Sequence, residues 1–189
     1  MNIIEVQGFT VEYPGLIPHI ITSAWVAKSS LSTSVQNPTP TETKALWDTG
    51  ATNSVITQSI AKELNLIPTG AVRVNHAGGQ STRHTYIIDL YLPNKVVFCG
   101  VTVSECPDTI GNFNIIIGMD IITQGDFVIT NFNRKTSVSF RYPSIEKIDF
   151  GKEKHSPSQG KVGRNAPCPC GKKKADGTPI KFKSCCGKI

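Results

Sequence analysis

A chain of 189 residues and 20.5 kDa has room for one ordinary domain and a small appendage, not for two domains with separate cores. With 39% hydrophobic and 18% charged residues it is neither a disordered acidic chain nor a coiled coil, and no apolar run is long enough to span a bilayer. The net charge of +6 is unevenly placed: residues 1–150 hold 10 Lys and Arg against 12 Asp and Glu, a net of −2, whereas residues 151–189 hold 10 against 2, a net of +8. The opening residues MNIIEVQGF lack a basic segment ahead of an apolar one, so the expected compartment is the cytoplasm.

In chain order, short apolar and β-branched runs predict strands at 3–6, 20–26, 43–47, 86–92, 96–103, 113–117, 127–130 and 137–142. Turn-forming residues separate them, among them Pro14-Gly15, Pro93-Asn94, Gly111-Asn112 and Asn131 to Asn133. The stretch 29–43 is rich in Ser, Thr, Asn and Pro and reads as an exposed loop. One amphipathic helix is predicted over 57–64, with Ile60, Ala61 and Leu64 on one face and Thr57 as its N-cap, and a second short helix near Met119. Many short strands with one or two short helices point to a mainly β, closed or strongly curved domain. The polar stretch 151–161, GKEKHSPSQGK, reads as a flexible linker.

The motif carrying chemistry is Asp48-Thr49-Gly50-Ala51-Thr52, directly after the apolar Ala45-Leu46-Trp47. A strand end can present a carboxylate, the Thr hydroxyl can brace the loop across an interface, and Gly permits two such loops to approach closely. Further on, Ile115-Ile116-Ile117-Gly118 is an apolar strand ending in a residue that leaves room for the Asp48 loop. Between them, His76-Ala77-Gly78-Gly79-Gln80 lies between 72–74 and 86–88 and reads as a glycine-tipped hairpin suited to a mobile flap. Asp120 and Asp126 lack the Thr-Gly context and read as a helix-turn and a loop residue. Cys99 and Cys106 read as buried thiols, and His76 and His155 as loop and linker residues.

Over roughly 15–142 this pattern resembles the retroviral-type aspartyl proteases, the retropepsins and their relatives. The resemblance implies a closed β-barrel of the acid-protease type. It makes Asp48 the catalytic aspartate, with Thr49 and Gly50 in its loop, Gly78 and Gly79 in a substrate-binding flap, and Ile117 and Gly118 as active-site support. Trp47 is bulkier than the aliphatic residue expected before the aspartate. Chemistry of this kind uses two carboxylates sharing a proton, and this chain has one Asp-Thr-Gly and no internal repeat, so the expected enzyme is a homodimer. The ionised Asp48 would take a proton from water as that water attacks a peptide carbonyl, and the protonated one would hydrogen-bond the developing oxyanion, with no covalent intermediate.

The tail reads Asn165-Ala-Pro-Cys168-Pro-Cys170-Gly171, then Lys181-Phe-Lys-Ser-Cys185-Cys186-Gly187. Four thiolates fill a tetrahedral zinc site in a segment too small to have a core, and metal binding would supply its folding energy. This segment resembles the SEC-C zinc motif, with fourteen residues between the second and third ligands instead of the usual eight and an insert turning at Asp176-Gly177. That resemblance implies zinc on Cys168, Cys170, Cys185 and Cys186, and contacts with a protein or ribosome partner through the basic tail. The expected organisation is a protease domain at 1–145, a linker at 146–162 and the zinc module at 163–189. The leading expectation is an aspartyl endopeptidase. The competing one is a non-catalytic retropepsin-like peptide-binding or adaptor protein recruited by its tail, and peptide cleavage compared with Asp48→Asn separates them.

Overall fold

The computed structural model describes residues 6–31, 39–76, 79–93, 95–108, 111–151 and 162–187. It is mainly β. Ten strands, β1 (Gln7–Glu12), β2 (Ile21–Lys28), β3 (Thr41–Trp47), β4 (Val55–Thr57), β5 (Gly70–His76), β6 (Gly79–Tyr91), β7 (Val97–Cys106), β8 (Ile115–Ile117), β9 (Asp126–Thr130) and β10 (Ser137–Tyr142), are joined by two short helices, α1 (Gln58–Glu63) and α2 (Met119–Ile122).

The strands form two sheets, β1-β10-β9 and β2-β3-β8-β4-β7-β6-β5. In the larger sheet β2 pairs with both β3 and β6, so the hydrogen-bonded order runs through six strands and returns to β2, with the β5–β6 hairpin projecting from it. Two pairings are parallel, β3 with β8 (Trp47 opposite Ile117) and β4 with β7. Alternation explains which residues go inward: in β2, Ala24 and Val26 are fully buried while Ser23 is exposed. The core joins Val26, Ala45, Ile56, Ile88, Leu90, Val103, Ile115 and Ile117 to Phe140 of the smaller sheet.

Trp47 makes that junction. Its ring stacks on Phe127 at 5.1 Å, meets Phe140 at 5.1 Å and Phe9 at 6.1 Å, and its indole N–H donates to Thr22 Oγ1 at 2.9 Å. A residue that looked oversized before the aspartate is the wedge binding the two sheets together.

Several expectations need correction. The first described strand is β1, whereas the run at 3–6 falls mostly outside the described residues. The short β4 was missed because three residues carry too little alternation to read. The stretch 29–43 is not one exposed loop: Ser29 and Thr43 are buried and β3 begins at Thr41. Asp89 explains the first of these. Its buried carboxylate accepts bonds from Ser30 N (3.0 Å), Ser30 Oγ (2.8 Å) and Gly100 N (2.9 Å), which draws residues 29–30 down onto β6. Thr57 sits at the N-cap of α1 without capping it. Its hydroxyl bonds Ser59 Oγ, and Asp108 accepts the Ser59 N–H instead. Asp126 is not a loop residue but opens β9, where Arg141, Ser144 and the Ile145 N–H converge on it. Ile148 and Phe150 then lie against β9.

Candidate functional site

Asp48 follows β3 directly. Its N–H donates to Ile117 O at 3.0 Å, so the β3–β8 pairing continues one residue into the motif. The carboxylate Oδ1 accepts the Gly50 N–H at 2.8 Å, and Asp48 O accepts the Ala51 N–H at 3.2 Å, folding Asp48-Thr49-Gly50-Ala51 into a tight turn. Asp48 is half-buried, and Thr49 and Gly50 are exposed.

Gly118 crosses beside this turn. A Cβ there would stand 2.7 Å from Asn53 C, 2.8 Å from Asn53 O and 3.0 Å from Ala51 O, so only glycine lets the two backbones meet. Ile117 is fully buried. The crossing is tied by Ser54 and Asp120, two residues without a motif to mark them. Ser54 N donates to Asp120 Oδ2 (3.0 Å), Ser54 Oγ donates to Asp120 Oδ1 (2.8 Å), and Gly118 N donates to Ser54 Oγ (3.1 Å). Met119 N and Asp120 N donate to Ala51 O and Thr52 O at 2.8 and 3.2 Å. Asp120 therefore holds the Asp48 loop from α2, which is a larger task than the helix-turn position expected for it.

Opposite the loop stands the β5–β6 hairpin, whose paired register ends at His76 opposite Gly79. Gly79 has φ of 114°, a conformation that favours glycine at such a tip. Gly78, the other predicted tip residue, lies outside the described residues, as does His155. Between the hairpin, the Asp48 turn and β7 lies a cleft of about 910 Å³. Its walls include Asp48, Gly50, Val72, Val74, Ser104 and Ile116.

The other carboxylate lining the cleft is Glu105, and it is engaged: Tyr86 Oη donates to it at 2.9 Å and His84 Nδ1 lies 3.2 Å away. Burial works against its charge, but the Tyr86 bond and the His84 charge outweigh that and hold its carboxyl below the usual range. Cys106 also lines the cleft, and burial together with Asp108 pushes its thiol up to about 11, so it stays protonated and is no nucleophile. Cys106 is buried as expected, but Cys99 is exposed.

In the tail, the sulfurs of Cys168, Cys170, Cys185 and Cys186 lie within 4.8 Å of one another. Cys170 Sγ stands 3.3 Å from both Cys168 Sγ and Cys185 Sγ, and Cys185 Sγ is 3.9 Å from Cys186 Sγ, so all four are free thiols. The sulfurs of a tetrahedral zinc–thiolate centre are about 3.8 Å apart, given a Zn–S bond of about 2.3 Å. The cluster therefore fits a metal ion of that size and softness. Backbone N–H groups of Cys170 and Cys186 draw the Cys168 thiol down to about 6, while hydrogen bonds to the neighbouring sulfurs push Cys186 up to about 12. The insert forms its own turn, with Asp176 Oδ1 accepting from Thr178 N (2.9 Å) and a bridge pairing Lys173 with Pro179, and the ligand positions stay together.

Among solved structures, a retropepsin-like aspartic protease from Rickettsia conorii is 14% identical, with a TM-score of 0.48 over 75% of this chain and 98% of that one. The EIAV protease complexed with the inhibitor HBY-793 is 20% identical, with a TM-score of 0.41 over 58% of this chain and 89% of that one. The simian foamy virus (mac) protease is 16% identical, with a TM-score of 0.36 over 53% of this chain and 89% of that one. No curated protein matches the chain. No described helix is long and apolar enough to cross a membrane. Residues 36–124, running from the approach to β3 past α2 and so containing Asp48, the hairpin and Gly118, match the family model "gag-polyprotein putative aspartyl protease".

Proposed function

We propose that the protein is an aspartyl endopeptidase active as a homodimer, with Asp48 of each copy as the catalytic pair. The observation carrying this reading is the placing of Asp48 on a turn fixed by Ile117, Gly118, Ser54 and Asp120, at the wall of a cleft that faces a strand hairpin. The only other cleft carboxylate among the described residues is occupied by Tyr86 and His84, so a second, shared-proton partner has to come from another copy. The exposed Thr49 and Gly50 suit burial against their symmetry mates.

In this reading an extended peptide lies in the cleft, bound by main-chain hydrogen bonds along strand edges, under the β5–β6 hairpin. The two Asp48 carboxyls share one proton. The ionised carboxylate takes a proton from water as its oxygen attacks the carbonyl carbon, and the protonated one donates a hydrogen bond to the oxygen that gains charge. Collapse of the tetrahedral species passes a proton to the leaving amine and restores the pair. The six-strand ring of the larger sheet is the acid-protease barrel, and the domain extends over 1–145.

The tail, in the same reading, is a SEC-C-type module at 163–189 in which Cys168, Cys170, Cys185 and Cys186 hold zinc as structure, not as catalyst. Exposed lysines around it, including Lys172, Lys173 and Lys183, offset the charge of four thiolates and leave a basic surface for a protein or ribosomal partner in the cytoplasm.

Asp48→Asn tests the first part. It keeps the shape but cannot act as a base, so peptide cleavage is expected to vanish while sizing still shows a folded dimer. Turnover by this variant at wild-type rate removes Asp48 from the mechanism.

A further inference from the structure

Strand alternation sorts the hairpin into two faces. Val72 is opposite Arg83, Val74 opposite Ser81 and Gly70 opposite Thr85, and these residues share one face. Thr85 in turn is opposite Ser104, which places Ser104 on that same face. All of these except Gly70 line the cleft, so it is the cleft face. On this face the side chains are apolar or hydroxylic apart from one charge, the guanidinium of Arg83; Arg73 and Glu105, at the alternate positions of β5 and β7, also border the cleft.

Arg83 is half-buried, whereas Arg73, which also borders the cleft, is exposed and alternates to the other face. Arg83 Nε donates to Ser81 Oγ at 3.1 Å. That bond orients the group. Among the described residues no carboxylate pairs with Arg83, although Asp126 is paired with Arg141 and Glu105 with His84. An oriented guanidinium on the cleft wall, with no carboxylate partner among the described residues, can pair with one that a ligand brings. A planar fork of this kind matches a carboxylate through two parallel N–H···O bonds.

The geometry points to Arg83 as the residue that selects an acidic side chain, Glu or Asp, in the peptide held by the cleft. This rests on the peptidase reading for its substrate class but not for its recognition chemistry. The apolar neighbours Val72 and Val74 take the flanking apolar side chains, and Arg83 supplies a single charged contact.

Two pools of labelled, mainly apolar decapeptides test this, one with Glu and the other with Gln scanned through every position. Cleavage is read by mass spectrometry with the full wild-type chain, and binding by fluorescence anisotropy with full-length Asp48→Asn. At one scanned position Glu is expected to be favoured about tenfold or more, the yield of a charge-assisted hydrogen bond in a partly enclosed site. Arg83→Gln should bring that ratio close to one, Arg83→Lys should retain part of it, and Arg83→Glu should turn the preference toward Lys. Circular dichroism of each variant establishes that it is folded, and the Lys variant carries the test if the Gln variant is not. A Glu preference that survives in Arg83→Gln, or no Glu preference at any position in either readout, overturns the assignment. Arg83-dependent binding without any cleavage sustains it and counts against the peptidase reading alone.

Discussion

Removing the Ser54 hydroxyl should loosen the whole Asp48 loop. Ser54 is fully buried, and its Oγ both donates to Asp120 Oδ1 at 2.8 Å and accepts from Gly118 N at 3.1 Å. Ser54→Ala removes a hydrogen bond to a charged acceptor, worth about 1.5–3 kcal/mol, and leaves the buried Gly118 N–H without its acceptor, worth about 1–3 kcal/mol. The two share one hydroxyl and do not simply add, and Asp120 Oδ1 keeps its bond from Ile121 N at 3.1 Å. The net expectation is about 2–4 kcal/mol, which at about 3 °C per kcal/mol lowers the melting temperature by about 6–12 °C. Calorimetry of the full chain reads the shift, and peptide turnover reads the loop, which should lose activity below the melting point because Gly118 no longer holds its place. Ser59→Ala is the control, since that residue is exposed and its hydroxyl meets Thr57 and Asp108 at the start of α1, away from the Asp48 loop. A Ser54→Ala protein melting within about 2 °C of wild type, smaller than the loss of a single such bond, would refute the reasoning.

Asp89 predicts a pH effect. Burial raises its pKa, but bonds from Ser30, Gly100 and Ser29 outweigh burial and hold its carboxyl below the ordinary value. A group depressed on folding contributes stability that is present above its unfolded pKa, about 3.9, and is lost as pH falls through the folded value. Asp89→Asn should therefore destabilise by about 1–3 kcal/mol at neutral pH, and the gap from wild type should narrow below about pH 4; a gap independent of pH contradicts the linkage. For the tail, metal analysis of the full chain should find about one zinc per protein, lost in Cys168→Ala. Chelation should collapse the NMR dispersion of residues 163–187 while leaving that of the larger body, and an unchanged spectrum excludes a structural metal.

The features legible in the sequence were those with a local signature. Asp48-Thr49-Gly50, the apolar run into Gly118 and the glycine tip each announce a backbone need, and the structure sets Asp48 and Gly118 side by side. Ser54 and Asp120 were not legible, because they act on each other across 66 positions, and Arg83 stands at the wall of a cleft that exists only once β5, β6 and β7 are paired. The loop 29–43 was misread for a related reason. Its polar composition was correct, but Asp89, 59 positions beyond Ser30, supplies the partners that allow polar residues to be buried. Trp47 was visible as an oddity and not as a wedge, since Phe127 and Phe140 come from the other end of the chain.

That wedge has a consequence for timing. Translation delivers the Asp48 turn long before it delivers Phe127 and Phe140, and β1 has no partner until β10 has emerged. A nascent chain that ends before Tyr142 exposes the indole of Trp47 and lacks the smaller sheet behind the residue that precedes Asp48. On the peptidase reading, a carboxylate on so poorly seated a turn is not held at the spacing its partner copy requires. The Asp48 pair is, on the same reading, put together only when nearly all of the larger body has left the ribosome, so half-made copies stay inert beside the unfolded chains they would otherwise meet there.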